Sequence, residues 1–361
     1  MKLGLGLYGN MLNAENFRFA KQAGASHIVA HIVGNFNKDR AKTTSGDPAY
    51  GFGISDPEEH IWSYEGMRDL RAAINAEGLE LEAIENFEPA HWSDVLLDGP
   101  RREEQMALCK RIVRDAGRAG IRTFGYNFSI ASVWGRDTQP VARGGALSVG
   151  YHDPVQPPIP NGMVWNMVYD RDAFDPAGAK GVIEPFSHDV LWDRFARFMG
   201  EMAPVAEEAN VRLALHPDDP PLPTLRGTPR LVYNANLYQR VLDLVPSPMN
   251  TLEFCIGTLA EMNDDNDLYE VIDRYSKTGR IAYVHFRNVR GKVPFYDEMF
   301  VDDGDVDMAR ALGILYKNGY DGVMIPDHTP AMSCAAPWHA GMAYALGWMR
   351  GVIGMLQRGG G

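Results

Sequence analysis

Eight short apolar runs, each followed by a stretch with helical spacing, constrain this chain more than any other feature. The runs are Leu3–Tyr8, His27–His31, Leu79–Glu85, Ile121–Tyr126, Val211–Leu215, Asn250–Phe254, Ile281–His285 and Gly322–Ile325. Val, Ile, Leu and aromatic residues dominate them, as expected of strands covered on both faces of a parallel sheet. Helices are expected between them at Glu15–Ala23, Tyr64–Ala76, Glu103–Ala119, Asp189–Ala209, Leu237–Leu244, Leu268–Ser276 and Val306–Lys317, with a last one over Ala340–Leu356. Met106, Cys109, Ile112, Val113 and Ala116 recur at spacings of three and four, and Gly24, Gly78 and Gly120 stand where helices stop. Strand then helix, eight times, predicts an α/β fold of the (β/α)8 or TIM-barrel type, one domain over residues 1–361. The alternative is an open doubly wound sheet. That fold usually carries a glycine-rich first turn, whereas Gly9-Asn10-Met11 follows the first strand here.

Two connections are long. Residues 127–188, after the fourth strand, are rich in Pro, Gly and aromatics, as in HDPVQPPIPNGMVWNMVY. A long insertion at that place lies on the C-terminal face of a barrel, where active sites are built, and is expected to cover the site. Val33–His60, after the second strand, is similar. An oligomer contact is the competing role for either segment, and a homo-oligomer is compatible with the sequence.

Charge and cysteine content narrow the function. The net charge is -12, from 47 acids against 35 bases, and no Lys/Arg cluster offsets it. Such a surface repels phosphate backbones, so a nucleic-acid partner is not expected. Three cysteines, Cys109, Cys255 and Cys334, are too few for a disulfide framework and point to a reducing compartment. No stretch resembles a secretion signal or approaches the ~20 apolar residues of a membrane span. The expected location is cytoplasmic, with no membrane partner.

The residues that carry chemistry stand where strands end. The fifth strand runs into His216, the sixth into Cys255, the seventh ends at His285 and the eighth runs into Asp327. In a closed barrel these tips lie side by side around one mouth. A lone histidine there is more often a hydrogen-bonded core residue, a lone cysteine a small hydrophobe, and a lone aspartate a helix cap. Four such residues on four successive strands predict a metal site, because imidazole, thiolate and carboxylate are the usual protein ligands of divalent transition metals. Softness alone favours zinc and leaves iron or cobalt open.

His328 follows Asp327 and can act as an acid or base near neutral pH, or as an outer partner of Asp327. Arg287 points to the same side as His285, to bind a substrate carboxylate or to pair with Asp218 or Asp219. Asn127 closes the fourth strand and can bond a substrate hydroxyl; Arg136 is a weaker candidate for an anion contact.

These segments resemble the mannonate dehydratase family. The resemblance rests on His216-Pro217-Asp218-Asp219-Pro220-Pro221, Gly227-Thr228-Pro229-Arg230, Phe254-Cys255-Ile256-Gly257-Thr258, Val284-His285-Phe286-Arg287-Asn288-Val289, Gly304-Asp305-Val306-Asp307-Met308 and Pro326-Asp327-His328. Tyr126-Asn127-Phe128 with Trp134 and Arg136 is similar to another family segment, and Glu85 fits a further one. The resemblance implies a xylose-isomerase-like barrel that binds manganese through His216, Cys255, His285 and Asp327. It implies a hydro-lyase of hexuronate breakdown that removes water from D-mannonate or a related sugar acid, giving a 2-keto-3-deoxy acid. Asp327 and His328 would then be catalytic, with Asn127, Arg136, Arg287 and Glu85 in substrate binding.

The chain departs from the family in two places. Ser333–His339 stands where the family runs to a Gly-Tyr-Gly segment, which puts Trp338 and His339 in place of its tyrosine. Val133 stands where the family has an aspartate before the Trp. A metal-dependent isomerase or epimerase, or a sugar-binding barrel without turnover, are the competing readings.

Overall fold

The computed structural model describes residues 1–33, 53–55 and 60–359. Among them, eight parallel strands close into a barrel: β1 Lys2–Tyr8, β2 His27–His31, β3 Glu80–Glu85, β4 Thr123–Tyr126, β5 Arg212–Leu215, β6 Asn250–Cys255, β7 Ile281–His285 and β8 Val323–Ile325. Each lies within two residues of its expected position. Neighbours in the chain are neighbours in the barrel, and β8 closes on β1 through Lys2 opposite Val323 and Leu3 opposite Met324.

Period-two alternation sorts the strand residues into two layers. Val29, Ala83, Ala214, Tyr283, Val323 and Ile325 fill the interior. Ile28, Leu213, Phe254 and Val284 face outward into the larger core beneath the helices. Those helices are α1 Ala14–Ala23, α2 Tyr64–Ala76, α3 Arg102–Arg118, α4 His188–Ala209, α5 Leu237–Leu244, α6 Leu268–Ser276, α7 Met308–Lys317 and α8 Pro337–Gly359. Their starts are set by side-chain caps: Asn13 accepts from the Asn16 amide, Ser63 from Gly66 and Asp307 from Arg310. Helix α1 stops at Gly24, whose φ of 102° is a conformation glycine adopts without a Cβ penalty.

Several features go beyond the sequence reading. Helices at Pro89–Leu97 and Ile256–Glu261 were not expected, and α8 begins at Pro337 rather than at Ala340. The 127–188 connection is partly sheet. Its strands Arg136–Ala142 and Ala146–His152 form a hairpin. That hairpin joins a second one, Asn288–Lys292 with Phe295–Met299, in a four-stranded antiparallel sheet. The seam pairs Phe295 with His152, a partnership so distant in sequence that local spacing carries no trace of it. The other expected cover, Val33–His60, falls mostly on residues 34–52 and 56–59, outside the described residues. Its Gly53–Ile54 pairs with Met167–Val168. Among the described residues, no helix is long and apolar enough to cross a membrane.

Candidate metal centre and active site

Strand register brings the donors together. Cys255 sits directly opposite His285 across the β6–β7 pair, and His216 follows the last residue of β5. One donor atom each from His216, Cys255 and His285 lies within 4.8 Å of the other two. The ring of His216 is oriented by its Nδ1, which donates to the Pro217 carbonyl; burial opposes its cation, but Glu253 and Cys255 outweigh burial and raise its pKa to about 9. Cys255 is fully buried, which opposes its thiolate. The Arg287 guanidinium and contacts from His216 and His285 outweigh burial and bring the thiol down to about 5. It is therefore a thiolate, the ligand form, at neutral pH. Its Sγ also accepts from the amide and hydroxyl of Thr258, at the start of the short helix after β6.

Asp327 stands two residues past β8, with φ of 63°, in the left-handed region that non-glycine residues rarely occupy. That turn aims its carboxylate back across the mouth. Oδ1 lies 3.4 Å from His285 Nδ1, and Oδ2 accepts from Arg287 at 2.9 Å. Burial opposes the charge of Asp327, but His328, His285 and Arg287 hold its carboxyl well below the usual range.

Beneath these donors lies a group that the sequence reading only partly found. His285 Nε2 is 3.1 Å from Glu253 Oε1 and 3.4 Å from Glu85 Oε2. The Tyr283 hydroxyl donates to Glu85 Oε2 at 3.1 Å, and His31 Nδ1 lies 3.4 Å from Glu85 Oε1. Burial and the neighbouring charge of Glu85 push the Glu253 carboxyl well up. A Cβ at Gly125 would overlap both the Tyr283 hydroxyl and the Glu253 carboxylate, so glycine keeps this space open. Glu253 did carry a signal. A charged residue inside a buried strand, two positions before Cys255 and so on the same face, is exceptional.

Arg287 organises a second cluster. Its Nη2 lies 2.9 Å from Asp219 and 2.8 Å from Glu261, and its Nη1 lies 3.1 Å from Glu298 and 2.9 Å from Asp327. Arg136 adds contacts to Glu298 at 3.0 Å and Asp219 at 3.4 Å, and Tyr296 donates to Asp219 at 2.7 Å. Of the two roles open to Arg287, the structure forms the ion pair with Asp219. A substrate carboxylate would have to displace existing partners to reach either arginine. His328 is held here through Nδ1, 3.0 Å from Glu298. Burial disfavours its cation, but Asp327 and Glu298 outweigh this and raise its pKa.

A cavity of about 510 Å³ opens above both clusters. Asn127, Arg136, Glu85, His216, His285, Arg287, Asp327, His328 and Trp338 line it, with Tyr8, His31 and Trp165 among the unanticipated walls. The amide of Asn127 donates to the Pro217 carbonyl at 3.4 Å, and its Oδ1 is free of partners. One expectation is corrected: His339 does not line the cavity. Its Nε2 bonds Asn16 at 2.9 Å and its ring packs between Phe19 and Trp338, so that Trp338 and not His339 borders the cavity.

Donor chemistry fits a divalent cation. Two imidazoles and a thiolate converge in a buried setting, and neither His285 nitrogen nor either Glu253 oxygen has an aligned hydrogen-bond partner. Such groups are costly to bury without compensation.

Comparison with known proteins places the chain in a family. The family model described as D-mannonate dehydratase (UxuA) matches residues 1–358. A mannonate dehydratase of Thermotoga maritima is 29% identical over 288 residues, 75% of this chain and 79% of that protein. Mannonate dehydratase 2 of Halalkalibacterium halodurans is 31% identical over 281 residues, 74% and 79% of the two chains. The crystal structure of mannonate dehydratase from Streptococcus suis serotype 2 superposes with a TM-score of 0.77 at 23% identity, covering 100% of this chain and 94% of that one. An L-ribulose 3-epimerase shares the fold at a TM-score of 0.55 and 15% identity, covering 99% and 96%.

Proposed function

We propose, from the premise that this chain belongs to the D-mannonate dehydratase family, that it removes water from D-mannonate or a close aldonate relative. The observation that carries this reading is the convergence of His216, Cys255 and His285, the two histidines lining the cavity and Asp327 beside them. These four side chains would hold the cation, for which manganese is the family expectation. A bound divalent cation supplies Lewis acidity to carboxylate and hydroxyl oxygens, which makes the proton beside the carboxylate easier to remove.

The protein's own groups do the rest. Cys255 and Asp327 bring negative charge, and His216 is held by Pro217 with Nε2 facing inward. His328, kept protonated by Asp327 and Glu298, is the donor to the departing hydroxyl. The C2 proton passes to the Asp327 carboxylate, the C3 hydroxyl takes the His328 proton and leaves as water, and the enol tautomerises to a 2-keto-3-deoxy acid. Asn127 offers a free oxygen to a substrate hydroxyl, and Glu85 faces the same space. Trp338 forms an apolar wall. The insertion at 127–188, with Arg136 and Trp165 on the cavity, covers the site.

The test is a screen of aldonic acids with manganese added. Product is read as a semicarbazide- or thiobarbiturate-reactive keto acid and as loss of the C3 hydroxyl by NMR. Exchange of the C2 proton without keto acid would replace dehydration by epimerisation. We predict that His328→Asn lowers kcat by about 10²–10⁴-fold with metal content unchanged. Turnover at the parent rate would remove His328 from proton transfer.

A further inference from the structure

Nothing so far assigns a task to Glu253, a fully buried acid with both oxygens unpartnered. We propose that Glu253 is a positioning residue for the metal centre: it accepts the Nε2 proton of His285 and so fixes Nδ1 as the nitrogen that meets the cation. This rests on the metal centre described above.

An imidazole that binds a cation through one nitrogen carries its proton on the other. Here the two face opposite ways. Nδ1 looks toward Asp327, the fourth of the ligands named above, at 3.4 Å. Nε2 looks down toward Glu253 at 3.1 Å and Glu85 at 3.4 Å. A buried N–H needs an acceptor, and only these two carboxyl groups approach it among the described residues.

Glu85 is already engaged. Its Oε2 accepts the Tyr283 hydroxyl, and its Oε1 faces His31. Glu253 has no aligned hydrogen bond; the Tyr283 hydroxyl is its other near neighbour, and with Glu85 and His285 it also forms a second trio of possible cation donors. Its Oε1 is the nearer atom, and it also lies 4.0 Å from His216 Nε2, so it sits under both imidazoles. The 3.1 Å contact is close enough for a hydrogen bond but is not aligned as one, which leaves the final ring setting to the loaded protein. Whether charged or neutral, a carboxyl oxygen can take this N–H. Gly125 supports the arrangement by giving Glu253 room. Outer partners of this kind set the tautomer and basicity of a histidine ligand, and losing one typically weakens metal binding about 10–100-fold.

The experiment uses the full chain and manganese alone, titrated against a competing chelator. Glu253→Leu should weaken binding about 10–100-fold. Glu253→Gln, which keeps a carbonyl acceptor, should recover part of the loss. A merely structural role would lower the unfolding temperature of both metal-free variants without separating their affinities. Equal affinity in wild type and Glu253→Leu would overturn the proposal. So would two metal equivalents in wild type and one in Glu253→Gln, which would make Glu253 a ligand of a second cation.

If Glu253→Leu does not fold, zinc-loaded wild type with 15N-labelled histidine decides the matter. A His285 proton on Nε2 supports the proposal, and one on Nδ1 overturns it. If wild type binds no metal, the centre and the proposal fall together. If it binds metal but turns over no aldonate, only the dehydratase reading falls.

Discussion

Around Arg287, both terminal guanidinium nitrogens are engaged by Asp219, Glu261, Glu298 and Asp327. Around His285, neither ring nitrogen is in a formed hydrogen bond, and both Glu253 oxygens are bare. The two clusters share Asp327 and are both buried, yet the arms of Arg287 are tied into formed contacts while the groups around His285 have no aligned partners. A network whose contacts are already made is fixed whether or not a ligand is present. A network of converging donors left unaligned has room to rearrange around a cation. The difference separates framework from site where burial and composition alone do not.

That contrast can be broken by substitution. We predict the largest effect on the framework side. Arg287→Met takes the guanidinium away from four buried carboxylates, of which Glu261 loses its ion pair outright while Asp219 and Glu298 keep Arg136, and should cost about 3–5 kcal/mol, the range for removing one partner of a buried ion pair. Denaturant unfolding of the metal-free protein measures it, and a loss below 1 kcal/mol would show the network to be slack.

A buried histidine outside both clusters comes next. His91 packs edge-on against Trp62, and burial, helped by Arg111, lowers its pKa to about 4. The folded chain then binds fewer protons than the unfolded chain, whose histidine titrates near 6.5. Its stabilising contribution should be intact above pH 6.5, decline as pH falls, and be gone below about 4, an amplitude of about 3 kcal/mol. Glutamine at this position should flatten that part of the stability curve, and an unchanged curve would assign the acid sensitivity elsewhere.

On the site side the effect should appear in metal binding rather than folding. Cys255→Ala should lose more than the roughly 100-fold in manganese affinity that an outer partner can account for. Metal-free stability should change little. Wild-type metal occupancy would remove Cys255 from the donor set. The smallest effect belongs to the surface: breaking the Arg18–Glu77 pair by Arg18→Ala should cost under about 1 kcal/mol, since exposed pairs of this kind contribute little.

Much of the barrel was readable because it is local. Each strand is an apolar run, and each helix is an amphipathic stretch with its own cap and stop. The places of His216, Cys255, His285 and Asp327 were readable for the same reason, since the end of a strand puts a residue at the mouth whatever else the chain does. His339 misled because a resemblance gives position along the chain and not the face of a helix that begins two residues earlier. Glu298 and Glu261 were hidden. Glu298 reaches His328 and Arg287 from a hairpin whose sheet is built with residues 136–152, and no short-range pattern encodes such a meeting. Glu253 was visible as a misplaced charge but was not recognised as a clue.

The antiparallel sheet over the cavity has a consequence for how such a protein diversifies. Its canopy is stitched from two quadrants of the barrel, the connection after β4 and the hairpin after β7. Insertions between His152 and His188 can reshape the ceiling while the stitches hold, and the donors on β5 to β8 stay where they are. Which acid gains entry and what is done to it are thereby set by separate stretches of chain, and the first can drift without dismantling the second.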